Sequence, residues 1–148
     1  MTGGPGGAAT RCIFCGEDDL TEEHLVADWV HRAFVRSKRP RSDFSGTFVG
    51  PHEMRLRTDD PISTARVACQ RCNNEWMSSI DNDAASVLKP LIQGRTEVVL
   101  DAEAQSAVSA WIFKSALVFD ALQAGEHGPL ADLRAAFDRD RLAPAPFT

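Results

Sequence analysis

All four cysteines of the chain fall in two Cys-x-x-Cys pairs, Cys12/Cys15 and Cys69/Cys72. Two thiolates three residues apart on a turn can bind one tetrahedral ion at about 2.3 Å, and two such turns complete a four-sulfur shell. The alternatives are two redox dithiols or four unrelated buried cysteines, but no thioredoxin-like pattern of strands and helices surrounds either pair. We therefore expect one structural zinc ion that joins two distant segments.

A second group of polar residues lies next to the cysteine pairs. Glu23-His24 follows the first pair, and Asn73-Asn74 comes directly after the last cysteine. A neutral His24 can take a proton from water, while a carboxylate and an amide oxygen can hold Mg²⁺ against a phosphate. These residue types predict metal-dependent phosphodiester hydrolysis. The alternatives are that His24 is a solvated residue in the first turn of a helix and that the two asparagines only cap a helix.

These residues resemble the HNH endonuclease family, whose members share a ββα-metal (His-Me finger) core. The resemblance covers about residues 11–80 and is carried by Cys12-Ile13-Phe14-Cys15, Glu23-His24 and Val67-Ala68-Cys69-Gln70-Arg71-Cys72-Asn73-Asn74-Glu75-Trp76-Met77. It implies zinc on the four cysteines, with His24 as the general base. It also implies that Glu23 and Asn73 are ligands of a catalytic Mg²⁺ or another divalent ion, with Asn74 as a substitute for Asn73.

The chain departs from the family pattern in three respects, one of which is the long separation of 49 residues between His24 and Asn73. The position of the family's middle Asn holds Thr64, so either Thr64 or Arg66 takes the orienting role, or that role is lost. The proline common after the acid–His pair is absent from Leu25-Val26-Ala27.

Apolar spacing predicts the elements that position these residues. Residues 11–16 indicate a short strand running into a turn, and Thr21 with the following acids indicates a helix start that leads into an amphipathic helix reaching Phe34. Residues 36–62 are punctuated by Pro and Gly and indicate a long loop or loose hairpin. A strand over 63–69 then enters the second cysteine pair, and a helix begins near Asn73.

The second half of the chain is predicted to be helical. We expect a helix over 82–93 that Lys89-Pro90 kinks or restarts, and then a strand or extended connector over 96–100. A central apolar helix over 103–123 and a weaker helix over 129–137 complete the pattern. The predicted fold class is α+β. It comprises a flexible tail (1–10), a zinc-stapled nuclease core (11–80) with an inserted helix and loop (25–62), and a helical extension (81–148) packed on that core.

Composition and charge fit one globular domain. The 148 residues are 43% hydrophobic and 25% charged, with a net charge of -5 that excludes a uniformly basic protein. Residues 1–80 carry 10 basic and 11 acidic side chains, whereas residues 81–148 carry 6 and 10. The basic run Arg36, Lys38, Arg39 and Arg41 is therefore a candidate for phosphate contacts with nucleic acid, double-stranded DNA above all. Its alternative is an ordinary solvated face.

Location and partners follow by default. No run approaches the roughly 20 apolar residues of a membrane span, and the start of the sequence lacks a signal-peptide pattern. We expect a cytoplasmic protein with no membrane partner and with a homodimer as one possible assembly. The predicted function is a DNA endonuclease. The alternative is a non-catalytic zinc module that binds nucleic acid or a protein partner.

Overall fold

The computed structural model describes residues 9–24, 26–36, 46–48, 54–56, 64–95 and 97–141. The described residues are mixed α+β and mostly helical, in agreement with the predicted class. The elements in chain order are β1 (Leu20–His24), α1 (Asp28–Arg36), β2 (Gly46–Phe48), β3 (Met54–Leu56), β4 (Thr64–Cys69), α2 (Gln70–Cys72), a π-helical segment (Asn73–Met77), α3 (Ser78–Ile92), α4 (Ala102–Ala124), a 3-10 turn (Gly125–His127) and α5 (Ala131–Asp140).

The strands form two small antiparallel sheets. β1 pairs with β4, so that Leu20 lies opposite Cys69 and His24 lies opposite Thr64, with a bulge in between. β2 pairs with β3 in a second sheet, which agrees with the loose hairpin, one of the two alternatives for residues 36–62. Because β1 and β4 are distant in sequence, their pairing brings residues 20–24 beside the second cysteine pair and the helix that follows it.

The predicted helix start at Thr21 is wrong. Residues 20–24 form β1, and α1 begins only at Asp28. Pairing with β4 satisfies the β1 backbone and buries one of its side chains, and these tertiary interactions outweigh a local capping signal. The strand predicted within residues 11–16 is also replaced, because these residues form a turn that ends at Gly16 with φ 80°.

Two predicted helices are one continuous helical run. Helical residues extend from Gln70 through the π-helical segment to Ile92, and Pro90 lies inside the last turn without interrupting it. This run crosses residue 80, and the proposed division of the chain there stays a prediction. Residues 97–100 form neither a strand nor a helix. The strand predicted over 96–100 is therefore wrong for these residues, and the connector is the alternative that remains. The helices predicted over 103–123 and 129–137 are confirmed as α4 and α5.

The core joins the cysteine segments to the C-terminal helices. One buried cluster contains residues from both regions: Cys12, Phe14, Val67, Ala68, Cys69, Cys72, Met77, Ile80, Leu117, Val118 and Phe137. Trp76 packs against this cluster, with its ring 4.9 Å from that of Phe14. A smaller cluster holds Trp29, whose ring lies 5.4 Å from that of Trp111. All three tryptophans therefore pack against the core clusters.

Within the described residues, α4 is long and apolar enough, by length and composition only, to cross a membrane. The core helix of a soluble protein meets the same criterion. Here α4 contributes Leu117 and Val118 to the main core and carries a buried charged residue, Lys114. Part of α4 therefore packs into the core, while 28% of its apolar 18-residue window is buried and Ile112 is exposed.

The turn between α4 and α5 has no room for a side chain at Gly128. A Cβ there would lie 2.5 Å from Oδ2 of Asp120. That oxygen is held in place because it accepts hydrogen bonds from the Arg134 guanidinium at 2.7 Å and from the Leu130 N–H at 3.2 Å. We expect Gly128→Ala to lower the free energy of unfolding by about 1–3 kcal/mol, measured by urea denaturation. In an Asp120→Ala background the same change should cost much less; an equal cost in both backgrounds would refute this explanation.

Candidate metal centre and active site

The four cysteine sulfurs lie together beside the end of β4. All four ligand atoms are within 4.8 Å of one another, and none of the cysteines forms a disulfide. A tetrahedral ion bound at about 2.3 Å requires sulfurs about 3.8 Å apart. The four cysteines can therefore hold a structural metal ion such as zinc.

Backbone hydrogen bonds fix the two pairs relative to each other. The Ile13 N–H donates to the Val67 carbonyl at 2.9 Å, which ties the first pair to β4. The Gly16 N–H donates to the Cys12 carbonyl at 2.9 Å and closes the turn that carries the first pair. In the second pair, the Cys72 N–H donates to the Cys69 sulfur at 3.4 Å. The arrangement of the thiols is thus built into the backbone of both segments.

The pKa of the Cys15 thiol shifts in the opposite direction to those of Cys69 and Cys72. Burial raises the pKa of the Cys69 and Cys72 thiols. Burial also acts on Cys15, but hydrogen bonds from the Glu17 backbone N–H and from neighbouring side chains outweigh it, and the pKa of Cys15 falls to about 7. Arg71 is one of those neighbours. The buried thiols thus need the positive charge of a bound ion to become thiolates.

Asn73 connects the helical run to β1. Its side-chain Nδ2 donates to the Glu22 carbonyl at 3.1 Å and to Oγ1 of Thr21 at 3.2 Å. Because a carbonyl can only accept, the amide group must turn its nitrogen towards β1, and its oxygen therefore points away from these two partners. That oxygen has no hydrogen-bond partner among the residues that the structure describes. A fixed amide with a free oxygen is suited to ligate a hard cation.

His24 is the last residue of β1. It lies opposite Thr64 in the sheet and is partly exposed. Its imidazole makes no hydrogen bond to another residue in the described ranges. Asn73 contacts the Glu22 carbonyl, and at about 3.3 Å per strand residue His24 lies roughly 7 Å further along β1. His24 is thus two residues along β1 from the carbonyl that accepts the Asn73 bond, and its side chain is partly exposed.

Glu23 points into the protein interior. Its side chain is only 4% exposed, and Oε1 accepts a hydrogen bond from Nζ of Lys114 at 3.2 Å. Nζ of Lys114 also donates to Oδ1 of Asp81 at 2.7 Å. Burial raises the pKa of Glu23, and the nearby Lys114 charge opposes that rise. The structure therefore places the Glu23 carboxylate in a buried ion-pair cluster with Lys114 and Asp81, and its role as a metal ligand stays a prediction.

The other predicted site residues divide into three groups. Thr64 faces His24 across the sheet by backbone register, whereas the Arg66 guanidinium donates to the Leu20 carbonyl at the opposite end of β1. Asn74 is exposed and, unlike Asn73, makes no side-chain bond to β1. The basic run lies outside what the structure describes: Lys38, Arg39 and Arg41 entirely, and Arg36, the last residue of α1, in its side chain.

Comparisons with protein-family models, with curated proteins and with solved structures found no match for this chain. The resemblance to HNH endonucleases therefore depends on the motif residues alone.

Sequence reasoning missed Lys114 and Asp81. A signal for Lys114 exists, because it is the only charged residue of α4 between Glu103 and Asp120, in an otherwise apolar stretch. A lone ionisable residue on a buried helix requires a counter-charge nearby. The partners themselves could not be predicted, since they come from β1 and α3, which are far away in sequence.

Proposed function

We propose that this protein is a zinc-stabilised, metal-dependent endonuclease that hydrolyses phosphodiester bonds of DNA. The single observation that carries the proposal is the placement of Asn73. It follows the thiol cluster directly, and its amide nitrogen is bonded to β1, the strand whose last residue is the partly exposed His24. An imidazole and a fixed amide oxygen next to two antiparallel strands and a helix are the parts that the resemblance to HNH endonucleases implies.

The roles follow from the chemistry of each group. His24 takes a proton from the attacking water as the general base. The amide oxygen of Asn73 and the carboxylate of Glu23, which also contacts Lys114, would hold Mg²⁺ or a similar ion. When bound, that ion stabilises negative charge on the phosphate and the leaving oxygen. The four cysteines hold zinc and keep β1 and the helical run in register.

Two exposed arginines of the described surface offer contacts to nucleic acid, although exposed acids, Asp18, Asp19 and Glu22, lie in the neighbouring segment. Arg66 on β4, the strand that pairs with β1, and Arg71 on α2 are exposed. Positive side chains at the Leu20 end of β1 can bind backbone phosphates of a duplex. One site cuts one strand, so a double-strand break requires a homodimer or two binding events. A cytoplasmic location agrees with four cysteines that are free to bind metal.

The test is nicking of supercoiled plasmid by the zinc-loaded protein. We expect open-circle product with Mg²⁺ or Mn²⁺ and none in EDTA. A preparation that holds its zinc and is folded, yet cuts neither DNA nor RNA with Mg²⁺, Mn²⁺ or Ni²⁺, would refute the endonuclease proposal.

A matched pair of variants tests the assignment of the asparagine ligand. We expect Asn73→Ala to reduce the nicking rate about 10- to 100-fold, because both the amide oxygen and the bonds that fix it to β1 are lost. Asn74→Ala removes a neighbouring exposed amide and should stay within about twofold of the wild-type rate. Equal losses in both variants, or a loss only in Asn74→Ala, would contradict the assignment to Asn73.

One observation favours a second candidate function, the non-catalytic zinc module. The Glu23 carboxylate is buried against Lys114, as expected of a residue that stabilises the fold. Such a module would bind DNA through exposed arginines without using His24. Wild type and His24→Ala with equal DNA affinity and no cleavage by either would establish this candidate over the endonuclease.

A further inference from the structure

Lys114 is a buried cation of α4 that connects Glu23, a predicted residue of the active site, to α3. Its side chain is 3% exposed and contacts Glu23 from β1 and Asp81 from α3. Both Lys114 and Asp81 belong to the predicted helical extension, residues 81–148. The function proposed above assigns no role to either residue.

Lys114 lies at unequal distances from its two carboxylate partners. Nζ of Lys114 lies 2.7 Å from the Asp81 carboxylate and 3.2 Å from the Glu23 carboxylate. Asp81 is 21% exposed in its side chain, whereas Glu23 is 4% exposed. Lys114 therefore makes its closer contact with the more solvated carboxylate, although the buried one has the greater need of a counter-charge.

The net charge of this cluster favours the binding of a cation beside it. Two carboxylates and one ammonium carry one net negative charge when all are ionised. A unit charge roughly 6 Å from a divalent ion changes the affinity for that ion by about tenfold, even in a water-like dielectric. Removing either charge next to Glu23 should therefore change the affinity of an ion bound there, and the two removals should act in opposite directions.

We propose that Asp81 and Lys114 are positioning residues that set the divalent-ion affinity of Glu23: Lys114 competes with the ion for the carboxylate, and Asp81 draws the ammonium towards itself. This proposal rests on the proposed function, since it takes Glu23 as a ligand of the catalytic ion. It gives the helical extension a role in the site, because α3 and α4 together determine how much negative charge Glu23 offers to the ion.

The test is a titration of the zinc-loaded full chain with Mn²⁺, in which the electron paramagnetic resonance signal measures the free ion. We expect Asp81→Asn to bind Mn²⁺ about tenfold more weakly than wild type and Lys114→Met to bind it about tenfold more tightly. The matched controls are Asp83→Asn and Lys89→Met, which make the same charge changes at exposed positions of α3. Both controls should stay within about twofold of wild type.

The outcomes separate this inference from the proposed function. Variants within twofold of wild type, or a shift in the same direction for both, would overturn the inference even if the wild type cuts DNA. Opposite shifts without any DNA cleavage would support the inference and count against the endonuclease. If Lys114→Met does not fold, Asp81→Asn alone is the test, because the Asp81 side chain is partly exposed and its replacement should leave the fold intact. Weaker Mn²⁺ binding by Asp81→Asn supports the inference, and unchanged or tighter Mn²⁺ binding overturns it.

Discussion

His24→Ala should reduce the rate of plasmid nicking by about 10²- to 10⁴-fold, the contribution expected of a positioned general base. His24 is partly exposed at the end of β1 and makes no hydrogen bond to another described residue, so its loss should leave zinc content and thermal unfolding nearly unchanged. The measurement is the initial nicking rate at saturating Mg²⁺, together with zinc analysis of the same preparation.

Two controls separate loss of a base from a general effect of removing a histidine. His127→Ala removes an exposed imidazole from the 3-10 turn and should keep the wild-type rate. Added free imidazole should partly restore nicking by His24→Ala, because a small base can enter the space that the side chain leaves. If His24→Ala cuts as fast as wild type, the site does not use His24 as its base.

Cys69→Ser should abolish zinc binding and cooperative unfolding together. Cys69 is the last residue of β4, and its side chain is fully buried. Its sulfur accepts a hydrogen bond from the Cys72 N–H at the start of the helical run. Structural zinc sites contribute about 10–16 kcal/mol of apparent binding energy, which equals or exceeds the roughly 5–15 kcal/mol stability of a typical domain. We expect close to one zinc per chain in wild type and almost none in Cys69→Ser.

A substitution in the same cluster tests whether the loss is specific to the ligand. Met77 is also fully buried in the main core but offers no thiolate. Met77→Leu nearly conserves the side-chain volume, so it should keep the full zinc content and lose less than about 1.5 kcal/mol of stability. Wild type with well below one zinc per chain, or Cys69→Ser with a full equivalent, would contradict the zinc site.

The thiol cluster and the C-terminal helices could be predicted from the sequence because their signals are local. A Cys-x-x-Cys pair fixes its own spacing, and the apolar pattern of α4 extends along a single helix. The four sulfurs come together as expected, although the two pairs are far apart in the chain. Both predictions required only residue types and short spacings.

The strand β1 and the environment of Glu23 could not be predicted in the same way. Thr21 with the acids after it has the local pattern of a helix start, and only the pairing with β4 makes these residues a strand. Lys114 meets Glu23 through packing between elements that are distant in sequence. Long-range pairing and packing therefore decide the details of the site that one sequence leaves open.

The central claim is that the zinc-held strands and helix assemble a second metal site beside His24. The most direct measurement is anomalous diffraction from crystals of the zinc-loaded protein soaked in Mn²⁺, recorded at the zinc and manganese absorption edges. The account predicts a zinc peak at the centre of the four cysteine sulfurs and a manganese peak at the amide oxygen of Asn73 and the carboxylate of Glu23. A zinc peak there, with no manganese near Asn73 or Glu23 at saturating Mn²⁺, would contradict it.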